Sequence, residues 1–254
     1  MWDKPDLLNT IASLLFAAAF LMVAYGVVHF VVRLPAFPLR EVQINGELAH
    51  VTLEEIEGIV KRELKGNFFT LDMNAARAGF EALPWVRKSN VRRRWPDQLE
   101  VEFEEHVPLA RWGAVALVNT YGEVFTAAYD GAPANREQWP LFIGPEGSAK
   151  EIAIQYRHFQ RSFAAIGQVP VQVQVSPRRA WQIRLDSGLV IELGRERLEP
   201  RLERFIAVFE RTIGRLQRKL DYVDLRYPNG FAVRIPELGP RDQHRNIGRN
   251  TKRG

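Results

Sequence analysis

The chain has 254 residues, 46% of them apolar and 11% aromatic, with 35 basic side chains against 30 acidic ones and no cysteine. That is apolar material enough for a real core, and the lack of cysteine excludes disulfide frameworks, thiolate zinc sites and Cys nucleophiles. Of the net charge of +5, +3 sits at the end, where residues 237–254 carry Arg241, Arg245, Arg249, Lys252 and Arg253 against Glu237 and Asp242. This segment holds almost nothing apolar and is expected to be a disordered basic tail. The remainder is close to neutral, which removes the electrostatic case for nucleic acid.

Residues Leu7 to Val32 contain no Asp, Glu, Lys or Arg. At about 1.5 Å per residue this run can cross a hydrocarbon core of about 30 Å with some tilt. A cleaved signal peptide would need a basic leader, a shorter apolar run and a small-residue cleavage site. The leader Met1-Trp2-Asp3-Lys4-Pro5-Asp6 is not basic, and Arg33-Leu34-Pro35-Ala36-Phe37 is a poor cleavage site. The segment therefore reads as a single transmembrane helix at 7–32 with residues 1–6 as a short end before it. Lys4 on one side and Arg33 and Arg40 on the other give no firm orientation.

Pro35 to Pro38 break that helix. Leu39 to Ile44 alternate and end at Asn45-Gly46, a strand and turn. Thr52 with Glu55 three residues on forms a capping box, and Leu53, Ile56, Ile59, Val60 and Leu64 follow at helical spacing. A shorter helix is predicted from about Asn74 to Leu83, stopped by Pro84. Strands at about 85–95 and 98–106 flank the turn Pro96-Asp97-Gln98. The order β-α-α-β-β predicts one small sheet with two helices on one face over residues 38–108.

A second unit is predicted over 110–236. Residues 116–119 and 123–126 flank the hairpin signal Tyr121-Gly122. Ile152, Tyr156, Phe159, Phe163 and Ile166 mark an amphipathic helix over 149–167. Val171, Val173 and Val175 alternate, and 181–185 pairs with 189–193 across Asp186-Ser187-Gly188. A further helix carries Leu198, Leu202, Phe205, Phe209, Ile213 and Leu216. Strands at 222–227 and 231–235 close the fold around Pro228-Asn229-Gly230. The fold class is α+β: a transmembrane helix, a small β-α-α-β-β domain, then a mainly antiparallel β domain with two long helices.

Catalytic patterns are missing. The five histidines lack metal-ligand spacing, and there is no G-x-S-x-G, P-loop or S-x-x-K. Glu102, Glu104, Glu105 and His106 could be drawn as an acid-base cluster, but Glu102 and Glu104 share one face of a strand and read as its solvated side. The basic run Arg87, Lys88, Arg92, Arg93, Arg94, flanked by Trp85 and Trp95, could be a nucleic-acid patch. Opposite the Glu-rich strand 100–105, its side chains are expected in cross-strand pairs instead. Neither a cofactor nor a small-molecule substrate is indicated, and the chain does not read as an enzyme.

The motifs F-P-L-R-E-V-Q-I-N-G at 37–46, G-N-F-F-T-L-D at 66–72 and L-P-W-V-R-K-S-N-V-R-R-R-W-P-D-Q-L-E-V-E-F-E-E-H-V-P at 83–108 resemble a POTRA (polypeptide-transport-associated) domain. With the anchor and Y-V-D-L-R-Y-P-N-G-F-A-V-R at 222–234, the chain resembles the FtsQ family of bacterial cell-division proteins over about residues 10–236. The resemblance implies a divisome scaffold of the inner membrane with its N-terminus in the cytoplasm, its bulk in the periplasm and its place at the septum. It also implies binding of FtsB and FtsL, with the last strand pairing with FtsB and septal peptidoglycan synthesis controlled through that complex. Carried over by motif, the partner-binding positions are Arg226, Tyr227, Asn229, Gly230, Phe231 and Ile235, with Ala232 and Val233 on the same strand and Arg178 from R-R-x-W. From the residues alone, an ordinary edge blunted by Arg234 and Pro236 stays open beside an edge that accepts a strand. A POTRA-bearing secretion or outer-membrane assembly component is the alternative, though such chains carry a β-barrel of many alternating strands.

Overall fold

A computed structural model describes residues 5–34, 37–46, 48–127, 139–209, 220–228 and 230–235. The chain divides after His106 into two compact units.

The first unit opens with helix α1, Pro5–Val32. Its stretch Asn9–Val32 is long and apolar enough to cross a membrane, and none of its most apolar window is buried in the protein. Leu14, Phe16, Phe20, Leu21 and Met22 all stand exposed. A core helix of a soluble domain would bury such residues; here a hydrocarbon phase has to cover them. The helix ends in tight turns, with the amides of Arg33 and Leu34 donating to Phe30 O and Val31 O.

Strand β1 (Glu41–Asn45), helices α2 (Leu53–Glu63) and α3 (Met73–Glu81), and strands β2 (Val86–Arg94) and β3 (Gln98–Glu105) complete this unit. The sheet order is β1-β3-β2, with β1 parallel and β2 antiparallel to β3. The capping box at α2 is formed: Glu55 N donates to Thr52 Oγ1 at 3.3 Å, and Thr52 N to Glu55 Oε2 at 2.9 Å. Asp72 caps α3 by accepting from the amides of Asn74 and Ala75. In β3, Leu99, Val101 and Phe103 are buried beneath the helices beside Ile56, Ile59 and Phe80. Leu53 departs from the expected apolar stripe: at the first helical position it is exposed, and the buried stripe narrows to Ile56 and Ile59.

The opposite face of the sheet holds the charges. Arg92 bonds Glu100 and Glu102, Arg87 bonds Glu104, and Arg94 donates to Gln43. The basic run is thus largely consumed by its cross-strand neighbours. Arg93 differs: it points to the helix side, where its guanidinium donates to the carbonyls of Phe68, Phe69 and Leu71.

The second unit contains β4 (Pro108–Trp112), β5 (Ala116–Asn119), β6 (Val124–Phe125), β7 (Leu141–Ile143), α4 (Ala149–Ala164), β8 (Pro170–Val175), β9 (Trp181–Leu185), β10 (Val190–Gly194), α5 (Leu198–Val208), β11 (Tyr222–Asp224) and β12 (Ala232–Arg234). Its described strands form a nine-stranded sheet in the order β12-β11-β10-β9-β8-β7-β4-β5-β6. Five neighbour pairs are antiparallel, while β4–β7, β7–β8 and β10–β11 are parallel. The mainly antiparallel expectation holds, and the parallel pairs are joined by longer connections, which contain β5 and β6 between β4 and β7, α4 between β7 and β8, and α5 between β10 and β11. Phe142, Ile152, Phe159, Phe163, Ile183, Ile191, Phe205 and Val223 build one continuous core.

Strands β4 and β7 escaped the sequence reading. The first begins with proline, and the second is three residues with no alternation to detect. The expected common face of Val171, Val173 and Val175 is broken: Val173 and Val175 are buried and Val171 is exposed. A register shift between Pro170 and Gln172 inserts a bulge there and turns Val171 outward. Ile213 and Leu216, assigned to the last helix, and the basic tail lie outside the described residues.

Candidate partner-binding edge

Among the described strands β12 terminates the nine-stranded sheet, paired on one side only, to β11. The register sets Tyr222 opposite Arg234, Val223 opposite Val233 and Asp224 opposite Ala232. The Arg234 carbonyl accepts from Asp221 N, so the main chain of Arg234 faces β11. Peptide groups alternate in direction along a strand, so Ala232 also turns inward and Val233 presents its N–H and C=O to the open side. Arg234 is further fixed by its Nε, which donates to both carboxylate oxygens of Asp221, and lies over the Tyr222 ring.

The side chains add an apolar stripe to this edge. Phe231 and Ile235 pack against the core, with Phe231 edge-on to Phe205. Between them Val233, opposite the buried Val223, remains 43% exposed. A core row therefore runs out to the edge and ends uncovered.

At the end of the sheet where β12 begins lies a depression of about 400 Å³, lined by Arg178, Ala180, Gly194, Arg195, Glu196, Arg201 and Arg226. Arg178 sits in the β8–β9 turn, which is closed by Arg179 N to Ser176 O at 2.8 Å and Ala180 N to Ser176 Oγ at 3.0 Å. Gly194, at φ +77°, ends β10 beside a bulge. A Cβ there would stand 2.9 Å from Arg201 Nη1 and 3.0 Å from Arg226 Cγ, so only glycine leaves both arginines in place. Arg201 donates to the carbonyls of Leu193 and Arg226, and Arg204 to that of Pro228. Helix α5 thus pins the chain that links β11 to β12.

Arg226 is not a free cation. Its guanidinium and amide bond Asp224, which is buried among the polar residues of the unit. The hydrogen bonds from Arg226, outweighing burial, hold the Asp224 carboxyl below the usual carboxylate range, and the same pair raises Arg226. Arg178 forms no ion pair with a described residue, and Arg201 spends its donors on carbonyls, so the depression stays cationic.

The geometry brings Arg178 and Arg226 into one depression and sets Phe231, Ala232, Val233 and Ile235 along one strand. The strand expected over 222–227 is shorter: β11 ends at Asp224, and Tyr227, beyond it, is 55% exposed while Val223 and Leu225 are buried. Gly230 lies in the connection before β12, and Asn229 is outside the described residues. Arg195, Arg201, Gly194 and Asp224 were missed. Their signal was weak, since L-G-R-E-R says nothing of what approaches that glycine. No cluster of three metal-ligating side chains occurs among the described residues.

A family model for the FtsQ-type POTRA domain matches residues 37–106, and one for the C-terminal part of cell division protein FtsQ/DivIB matches residues 110–226. The cell division protein FtsQ of Nitrosospira multiformis is 47% identical over 239 residues, covering 92% of this chain and 99% of that protein. The chain belongs to the FtsQ family of cell division proteins. FtsQ of Burkholderia pseudomallei is 44% identical across 92% of this chain and 94% of its own length, and FtsQ of Neisseria gonorrhoeae 34% identical across 92% and 95%. Both units and the apolar helix thus fall in the FtsQ arrangement of a single-pass membrane protein with a POTRA domain.

Proposed function

We propose that this FtsQ-family chain is a non-catalytic scaffold of the divisome, anchored in the inner membrane with its N-terminus in the cytoplasm and its bulk in the periplasm at the septum. It binds FtsB and FtsL, links early and late division proteins, and so helps control septal peptidoglycan synthesis. A strand of FtsB adds to β12, and acidic side chains of FtsB enter the depression of Arg178 and Arg226. Tyr227, Asn229 and Gly230 shape the approach.

The edge of β12 carries this reading: among the described residues the main chain at Val233 has no strand partner on its outer side, and no described residue covers the apolar row between Phe231 and Ile235. Strand addition supplies affinity through the main chain, and the arginines supply register and on-rate.

Capture of FtsB by the full chain from detergent-solubilised membranes tests it. Val233→Pro and Arg178→Glu should each abolish capture while circular dichroism and melting stay as in the wild type. Wild-type capture by both folded variants would place the FtsB site elsewhere.

A further inference from the structure

We propose that the POTRA domain docks on the bilayer surface, with Trp95, Phe37 and Phe69 seated among headgroups and Arg40 and Arg94 facing anionic phospholipid. The inference rests on α1 crossing the bilayer.

The end of α1 is tied to the domain. Asn67, a buried polar residue, donates from Nδ2 to Val32 O at 2.8 Å and Leu34 O at 2.9 Å. Its Oδ1 accepts from Phe69 N, Thr70 N and Thr70 Oγ1. Phe68 N donates to Phe37 O, and the rings of Phe37 and Phe69 meet edge to face at 5.1 Å. The loop around Asn67 therefore sits within hydrogen-bond reach of the helix end. A 28-residue helix is about 42 Å long, more than the hydrocarbon thickness of about 30 Å, so this end lies at the headgroups.

The same end of the sheet carries the tip of the β2–β3 hairpin. Arg93 bonds the carbonyls of the Asn67 loop, and Trp95 follows two residues later, about 7 Å along a strand. Arg40 N donates to Asp97 O at 3.0 Å, and Glu41 pairs with Gln98, so the hairpin tip lies beside the start of β1. Trp95 is 79% exposed, and Phe37 and Phe69 are also exposed. Arg33, Arg40, Lys65 and Arg94 are exposed around them, against Glu41 and Asp97. Tryptophan with flanking basic side chains is the composition that settles at a membrane interface.

The lack of cysteine allows single labels on the full chain in lipid nanodiscs. Nitroxides are placed at Phe69→Cys and Trp95→Cys, at Leu21→Cys within α1, and at Leu53→Cys. Leu53 follows residues 49–51, whose amides bond Glu105 at the far end of β3. Collision with oxygen and with a water-soluble nickel chelate reports depth; mere shelter by protein lowers both, whereas the interface raises the ratio of oxygen to nickel. The expected result is a ratio several-fold higher at Phe69 and Trp95 than at Leu53, and higher with phosphatidylglycerol present than in phosphatidylcholine alone. Ratios equal to that at Leu53, with Leu21 reporting the bilayer interior, would overturn the docking. Equal ratios in the two lipids would overturn the role of Arg40 and Arg94. A water-exposed Leu21 would overturn the spanning helix, and the docking with it.

Discussion

Two carboxylates, the half-buried Glu105 and the buried Asp224, carry much of the polar specification. Burial would raise Glu105, but the amides of Val51, His50 and Ala49 and the His50 ring together hold it below the ordinary carboxylate range. A carboxyl lowered on folding adds stability above its unfolded pKa and loses it as pH falls through the folded one. Glu105→Gln should therefore cost about 1–2 kcal/mol at neutral pH, and melting curves of variant and wild type should converge on acidification. Parallel curves at every pH would show that the charge is not what those amides need. Arg226 and Asp224 make the second case. Arg226→Ala leaves a buried carboxylate with fewer partners and should lower stability by about 2 kcal/mol, readable by chemical denaturation. Loss of partner capture in that variant must be judged against this loss. Arg178, exposed and without an ion pair to a described residue, gives the cleaner test of charge recognition.

At the level of elements, Val233 and Ala232 separate two proline effects. Proline at Val233 removes an N–H that faces outward, so the hairpin should keep its melting temperature and lose its partner. Proline at Ala232 removes one that faces β11 and should lower stability by about 1–3 kcal/mol. Equal melting losses for the two would show that the alternation along β12 is reversed. Gly194→Ala imposes a strained left-handed backbone and pushes Arg201 and Arg226, costing about 1–3 kcal/mol. A melting curve reads this loss. The sequence made most of these elements legible, because Ile56 and Ile59 repeat at helical spacing, Leu99, Val101 and Phe103 alternate, and Thr52 with Glu55 announces a cap. The bulge at Pro170–Gln172 and strand β7 were not legible, since both depend on what lies alongside in the sheet. The site divides the same way. Y-V-D-L-R-Y pointed to Arg226 and Tyr227 through resemblance, but the exposure of Tyr227 and the pairing of Arg226 with Asp224 follow from where β11 stops.

For the whole molecule, the two units should respond to damage separately if residues 38–108 form a domain that folds on its own. Ile56, almost fully buried beside Ile59, is the place to test this. Ile56→Asp buries an unpaired charge and should cost about 4 kcal/mol or more. Hydrogen exchange should then show protection lost from α2, α3 and β1–β3 while β8–β11 keep theirs. Uniform loss across both units would make the chain one cooperative body. A phosphatase reporter fused after Gly254 should be active if that end lies outside the cytoplasm, and an inactive fusion beside an active cytoplasmic reporter would reverse the topology.

The two carbonyls held by Asn67 have a mechanical meaning. A helix joined to a domain by a slack tether can spin about its own axis without consequence. Here Val32 and Leu34, two residues apart at the helix end, are gripped by a side chain that is itself locked by Thr70, and Arg93 ties that loop to the sheet. Torque applied to α1 inside the membrane, for instance by a neighbouring helix packing against one of its faces, is delivered to the POTRA domain as rotation. Such a grip would make the anchor an axle as well, so that a turn of α1 in the lipid would turn the POTRA domain with it.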